Sequence, residues 1–392
     1  MKILHVIPSV SLVHGGPSRA IIDIERSLAA RGVEVTTVTT NDDGDTRTLS
    51  VLSGQPVVTP YATRWYFPRT TVSFKISVGL GQWLRKNVKE FDVVHTHALF
   101  SFAPVAAAYI ARRAGVPYVL RPLGVLANYG MTQRRPLLKQ ASLALVERRL
   151  IVSASAIHFT SLTEMADAEA LGLECKGVVI PLGIDLSNPT KHRYIHNDDG
   201  AFNLLFLSRI DRKKNLEGLM KALNLILPKY PRLKINIAGD GDPRYILMLH
   251  TLANQLGIEG HINWLGHLQG KAKREALEGA SAFVLPSYSE NFGISVVEAL
   301  AAGLPCVVSR EVAISDEIAR VGAGIVTGTT PEEIATGIER LLNSESEMVA
   351  YSHAARLLAC DRFSIDVMGE RLEALYRGIL DSTPSRRAAR AS

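Results

Sequence analysis

Short apolar runs alternate with amphipathic segments along this chain, and the alternation runs twice. In the first pass residues 3–7, 33–38, 92–95, 118–121 and 156–159 read as strands, with helical periodicity at 17–31, 100–114 and 136–152. After residue 200 the pattern restarts. Residues 204–210, 234–238, 262–264, 282–285 and 306–309 read as strands, and 215–227, 244–256, 271–280 and 294–302 as helices. Buried strands joined by helices imply parallel sheet, because a right-handed crossover must cover each face. The prediction is an α/β chain of two Rossmann-like doubly wound domains facing each other across a cleft. Residues 1–181 form the first, completed by a C-terminal helix at 365–380, and residues 182–364 the second. The polar stretch 186–200 reads as a linker or surface loop, and residues 381–392 as a disordered basic tail. In such folds ligands bind beyond the carboxyl ends of the strands, so those loops are where chemistry belongs.

At 392 residues the chain suits two cores, and its 47% apolar and 21% charged content excludes disorder as the main state. The net charge of +6 includes Arg386, Arg387 and Arg390 of the tail. The remaining surplus suits anionic small molecules or an anionic membrane surface, and nucleic acid is not an expected partner. Cys175, Cys306 and Cys360 lack metal-ligand spacing and fit reduced thiols. The start MKILHVIPSV has no sustained apolar region before Gly15-Gly16-Pro17, so it reads as a first strand rather than a signal peptide. No run approaches the ~18 apolar residues of a membrane span. A cytoplasmic protein, peripheral on the membrane face at most, is expected.

The strongest chemical signal is PSYSENFGISVVEALAAGLPCVVS, residues 286–309. Glu290 and Glu298 are separated by seven residues, and Gly293 opens a helix whose free N–H groups suit a diphosphate. A second lies in LSRIDRKKN, residues 207–215, where Arg209 and Lys214 follow a buried strand; a solvated basic turn is the plainer alternative. A third is the Gly15-Gly16 loop after the first strand, where glycines permit close ligand approach. His95 and His97 share one face of a strand, but no third metal ligand is evident nearby. Arg121 ends the next strand and is either a binding residue or an ordinary strand end. Gly239-Asp240-Gly241-Asp242 fails the dinucleotide fingerprint because Arg244 stands at the third glycine position.

These motifs together resemble the retaining glycosyltransferases of family 4, also called glycosyl transferases group 1, with the two-domain GT-B architecture. The resemblance spans most of residues 1–380, most densely 204–310, whereas 40–90 matches no motif. It implies that Glu290 lies near the transferred sugar, that Glu298 holds the nucleotide ribose, and that Asn291, Phe292, Gly293 and Ile294 line the donor site. Arg209 and Lys214 would neutralise the diphosphate, with Asn215 in place of a common Gly. Gly15, Gly16 and Gly239 would contact the donor, His97 its sugar, and Arg121 the acceptor side. The stretch 179–185 resembles the family's domain-joining segment, with Leu182 in place of a frequent Asn. No cofactor and no metal are implied, and Asp240 and Asp242 are accordingly not expected to bind one. The expected partners are a nucleotide sugar and a glycan or lipid-linked acceptor of polysaccharide or lipopolysaccharide assembly. A partner subunit that binds nucleotide sugar without turnover and a sugar-nucleotide epimerase are the alternatives.

Arg134, Arg135, Lys139, Arg148 and Arg149 flank an apolar run at 137–146. This is either a membrane-surface helix or, as preferred here, an amphipathic helix whose apolar stripe packs on the first sheet.

Overall fold

The computed structural model describes residues 1–127, 130–131, 136–186 and 202–382; most of the 186–200 stretch, Arg134, Arg135 and nearly all of the 381–392 tail lie outside them. The chain divides into two compact units, Met1–Gly183 with Ile365–Ser392, and Ile184–Ser364.

The first unit runs β1 (Lys2–Ile7), α1 (Gly16–Ala29), β2 (Glu34–Thr40), β3 (Pro56–Val58), β4 (Thr63–Phe67), α2 (Val78–Asn87), β5 (Val93–His97), α3 (Phe102–Arg113) and β6 (Tyr118–Arg121). Then come α4 (Pro136–Ser142), a π-helical turn (Leu143–Glu147), α5 (Arg148–Val152), β7 (Ala156–Phe159), α6 (Leu162–Ala170) and β8 (Gly177–Val179). The C-terminal helix (Ile365–Asp381) packs beside α1. Its eight strands lie in the order β3-β4-β2-β1-β5-β6-β7-β8. All neighbours are parallel except the edge pair β3–β4, which falls in the stretch where no motif was legible. β1 pairs with both β2 and β5, so the chain reverses its direction of winding there, and the loops after β1 and β5 diverge at a switch point.

The second unit runs β9 (Asn203–Leu207), α7 (Leu216–Ile226), β10 (Lys234–Ala238), α8 (Pro243–Gln255), β11 (Ile262–Gly266), α9 (Gly270–Glu278) and β12 (Ala282–Leu285). It continues through α10 (Ile294–Ala302), β13 (Cys306–Ser309), α11 (Ser315–Val321), β14 (Gly324–Thr327), α12 (Pro331–Leu342) and α13 (Glu345–Phe363). The sheet is parallel, in the order β11-β10-β9-β12-β13-β14, which is the doubly wound arrangement with its switch point between β9 and β12. β12 and β13 are buried on both faces, as the apolar run of β12 and of Cys306–Val308 requires, with the Ser309 hydroxyl satisfied by the Ser287 carbonyl. α10 buries Val296, Val297 and Leu300 and stops where Gly303 takes φ 80°, a left-handed cap that glycine adopts without strain. α12 starts with a capping box in which Thr330 and Glu333 satisfy each other's backbone N–H groups.

One expectation is overturned. The apolar stripe at 137–146 does not pack onto the first sheet. Leu137, Leu138 and Leu145 are 79%, 65% and 75% exposed, while Leu143 alone of the run's leucines packs against the core. A π-helical turn changes the angular spacing of side chains, so a stripe read at 3.6 residues per turn no longer shares one face.

Candidate functional site

In the second unit the switch point brings together the loops after β9 and β12. The Tyr288 N–H donates to the Lys213 carbonyl at 2.7 Å, and Lys214 Nζ forms an ion pair with Glu290. Lys214 is buried, and burial followed by the like charges of Lys213 and Arg209 pushes its ammonium down to about 7. Asp211 on the same loop opposes that pressure, and the ion-paired Glu290 carboxylate favours the charged amine as well. Arg209 is exposed on the same loop and has no ion-pair partner among the described residues. The site is therefore a cationic loop in which Asp211 caps the turn by accepting from Lys213 N–H, with the Glu290 carboxylate set against it.

Backbone constraints fix that loop. Asn215 sits at φ 57° and its side-chain oxygen accepts from Gly218 N–H, capping α7, while its amide donates to the Thr329 carbonyl. Asn thus does what Gly would do at this left-handed position, and adds a cap. At Gly239 a Cβ would run into the Ser208 carbonyl oxygen, and at Gly241 into that of Ile210. These glycines let the turn after β10 lie against the loop carrying Arg209, where Ile210 N–H donates to Asp240 at 2.8 Å. Asp240 and Asp242 are occupied locally: Asp240 accepts from Gly241 N–H, and Asp242 caps α8 by accepting from Arg244 N–H.

Glu290 is held by its backbone, accepting from Ala313 N–H and donating to the Glu311 carbonyl. Gly293 (φ 83°) is the N-cap of α10, and a Cβ there would press on Glu290 Cγ and Val296. Phe292 is buried edge-on against Phe363, with ring centres 5.7 Å apart, so its side chain anchors the loop. Asn291 and Ile294 are half-buried beside it. Glu298, one turn into α10, accepts from Lys273 Nζ of α9 at 2.5 Å. Lys273 carries no motif and was not singled out in the sequence.

In the first unit Gly15 takes φ 69° and caps α1, with Gly16 exposed beside it and Pro17 in the first turn. This loop is tied to the stretch that matched no motif. Buried Asp42 forms ion pairs with Arg69 and Lys75, and His14 Nε2 lies 2.7 Å from its carboxylate. Burial opposes ionisation of Asp42, but Lys75, His14 and Arg69 outweigh it and hold the carboxyl below its ordinary value. Beyond β5 and β6, Ala98, Phe100 and Leu123 all take positive φ, a strain that concentrates at functional loops.

His97 and Arg121 lie in a buried polar layer. β1 pairs His5 with His95, and β5 pairs His97 with Arg121, so these side chains share one sheet face with His158 of β7. The hydrogen-bond directions follow from chemistry. His158 Nε2 must donate to the Ile180 carbonyl, so His95 Nε2 donates to His158 Nδ1 and the Tyr376 hydroxyl donates to His95 Nδ1. Arg121 can only donate, to His97 Nδ1 at 3.4 Å, so His97 Nε2 donates to His5 Nδ1 at 2.8 Å. That leaves the Nε2–H of His5 and the Nε–H of Arg121 buried without a partner among the described residues. Both ring nitrogens of His97 are thus engaged inside the unit. His5 also corrects the expectation that no third ligand stands near His95 and His97: one nitrogen from each ring lies within 4.8 Å of the others. The adjacent Arg121 guanidinium makes a cation unwelcome there, and it also lowers the pKa of all four histidines after burial has done most of the work.

Among the described residues no helix is long and apolar enough to cross a membrane.

Comparison with known proteins agrees with this layout. Residues 15–183 match the glycosyl transferase 4-like domain, and residues 188–358 match glycosyl transferases group 1. An uncharacterized glycosyltransferase of Methanocaldococcus jannaschii is 31% identical over 186 residues, and the match covers 47% of each chain, about half the relative's length. The alpha-monoglucosyldiacylglycerol synthase of Acholeplasma laidlawii is 24% identical over 93% of this chain and 94% of its own. Among solved structures, HepE of Anabaena in complex with UDP superposes with a TM-score of 0.75 at 18% identity, covering 96% of this chain and 100% of that one. Two consecutive family matches, on two doubly wound sheets with a cationic switch-point loop, place the chain among the group 1 glycosyltransferases of GT-B fold.

Proposed function

We propose that this chain is a retaining, metal-independent glycosyltransferase moving a hexose-type sugar from a nucleotide-diphosphate sugar to a glycan or lipid-linked acceptor in cell-surface polysaccharide or lipopolysaccharide biosynthesis, at the cytoplasmic side of the membrane. The observation that carries the reading is the Lys214–Glu290 pair at the switch point, with Arg209 exposed beside it and the α10 N-terminus one residue beyond Phe292.

As the bond from the anomeric carbon to the diphosphate oxygen breaks, negative charge gathers on the leaving group and positive charge on the sugar ring. Arg209, Lys214 and the N–H groups following Gly293 stabilise the first. Glu290 keeps Lys214 charged and orients the sugar. The acceptor oxygen bonds to the anomeric carbon on the face the diphosphate leaves, and its proton passes to a departing phosphate oxygen. Glu298, steered by Lys273, accepts from the ribose hydroxyls. Gly15, Gly16 and Gly239, with Asn291, Ile294 and the backbone at Phe292, belong to the same proposal as donor contacts, and the buried His97 and Arg121 as residues behind the loops on the sugar side and the acceptor side.

Because UDP is bound in the HepE structure, UDP-sugars are the first donors to screen, by thermal shift and then by transfer. Arg209→Ala should lower turnover at least a hundredfold, the loss of about 2.7 kcal/mol of charge stabilisation, with an unchanged melting curve. Turnover near wild type would remove Arg209 from the mechanism, and activity abolished by a chelator would end the metal-independent reading. Donor binding without transfer to any acceptor favours the partner-subunit alternative, and acceptor-free interconversion of sugar nucleotides favours the epimerase.

A further inference from the structure

Two buried glutamates stand behind the loops that leave β5, β6 and β7. Glu147 ends the π-helical turn and is buried with Leu150 and Ile151, where an apolar side chain would be ordinary. Its carboxylate accepts from Phe100 N–H and from the Ser142 hydroxyl, each at 3.0 Å. Turns of this kind recur at functional sites. Glu164 lies three residues after Ser161, the N-cap of α6, and that is the spacing of a capping box, in which the glutamate turns back to its own cap. Here the carboxylate also reaches outward. One oxygen accepts from Gly124 N–H at 2.6 Å, and the other from Thr160 N–H at 2.7 Å and the Thr160 hydroxyl at 2.8 Å.

What these acids hold is backbone that would not keep its shape alone. Ala98, Phe100 and Leu123 sit at φ 81°, 55° and 62°, conformations that persist only where the surroundings over-determine them. Ala98 N–H donates to the Arg121 carbonyl at 2.9 Å and joins the first loop to the second. Burying a carboxylate is costly unless its hydrogen bonds are made, and these two make theirs to loop backbone. We infer that Glu147 and Glu164 are positioning residues for transfer: they lock the loops after β5, β6 and β7 in the strained form that receives the acceptor, and neither touches a substrate. The inference rests on the transfer reading above and adds to it what aligns the acceptor.

Hydrogen-bond polarity separates the two clamps. At Glu164 an N–H faces each carboxylate oxygen, so in Glu164→Gln the amide nitrogen meets a donor whichever way it is turned. At Glu147 a glutamine oxygen can accept from Phe100 N–H while its nitrogen donates to the Ser142 hydroxyl, which can reverse. The test uses the full-length protein, the UDP-sugar that the screen selects, and alkyl glycosides as acceptors. Glu164→Gln and Glu147→Leu should each raise the acceptor KM about tenfold, the effect of one lost hydrogen bond. Glu147→Gln should restore the wild-type acceptor KM. Donor KM and the thermal shift with UDP should stay at wild type in all three variants. Leucine suits the buried position beside Leu150 and Ile151, so Glu147→Leu keeps the test open should Glu164→Gln fail to fold. No transfer by the wild type to any acceptor would overturn the transfer reading and this inference with it. A wild-type acceptor KM in Glu147→Leu, donor and acceptor KM rising together, or no rescue by Glu147→Gln would overturn this inference alone.

Discussion

Mild acid should destabilise the first unit strongly, because His5, His95, His97 and His158 are fully buried and held neutral. Burial is the main cause in every case, reinforced by Arg121 and by the neighbouring rings; His5 and His158 are each pushed down to about 3, and His95 and His97 lie well below their ordinary value. In the unfolded chain each takes up a proton near pH 6.5. A folded value below the unfolded one means stability is full above about pH 6.5 and falls as pH drops toward the folded values. Each histidine then costs about 1.4 kcal/mol per pH unit. For four of them, moving from pH 7.5 to 5.5 removes about 5 kcal/mol, which is comparable with the whole stability of a typical domain, about 5–15 kcal/mol. The assay is urea unfolding in a Trp264→Phe variant, where the remaining tryptophans, Trp65 and Trp83, both lie in the first unit. The midpoint should fall steeply between pH 7 and 5.5, and His158→Gln should remove about a quarter of the slope. An unchanged midpoint at pH 5.5, or a titration of any of the four rings near 6.5 by NMR, would refute the reasoning.

Gly239→Ala should lower the melting temperature of the second unit by several degrees and weaken nucleotide binding, since the new methyl displaces the Ser208 carbonyl from the loop that carries Arg209; calorimetry with and without nucleotide reads both. Glu298→Ala should weaken nucleotide affinity about tenfold, the loss of one charged hydrogen-bond acceptor, with a smaller effect on turnover at saturating donor. Asp42→Asn should destabilise the first unit by about 3–5 kcal/mol, because Arg69 and Lys75 then face a neutral amide. In the wild type the Asp42 contribution, with its lowered carboxyl, is full above about pH 4 and is lost as pH falls through the folded value; the urea midpoints of wild type and Asp42→Asn compared at about pH 7.5 read it in full.

Most of the second unit was legible because its signals are local. Strands such as Lys234–Ala238 and Ala282–Leu285, and helix Ile294–Ala302, coincide with their apolar runs and glycine stops. The short strands β3 and β4 lie at the edge of their sheet, half exposed, so their apolar pattern is weak. Lys273 was invisible because its meaning lies in a meeting with Glu298 across two helices, and nothing in a run of residues encodes that.

By itself the sequence determined the doubled α/β alternation, the placing of glycines and acids after strands, and the identity of the cationic loop, since periodicity and backbone freedom act over a few residues. The tertiary structure alone decided which side chains meet. Parallel pairing of β1 with β5 set His5 beside His95 and His97; packing of the C-terminal helix brought Tyr376 to them across the chain. It also turned Leu137, Leu138 and Leu145 outward, because whether an apolar stripe is covered depends on what folds over it, and that is a property of the whole chain.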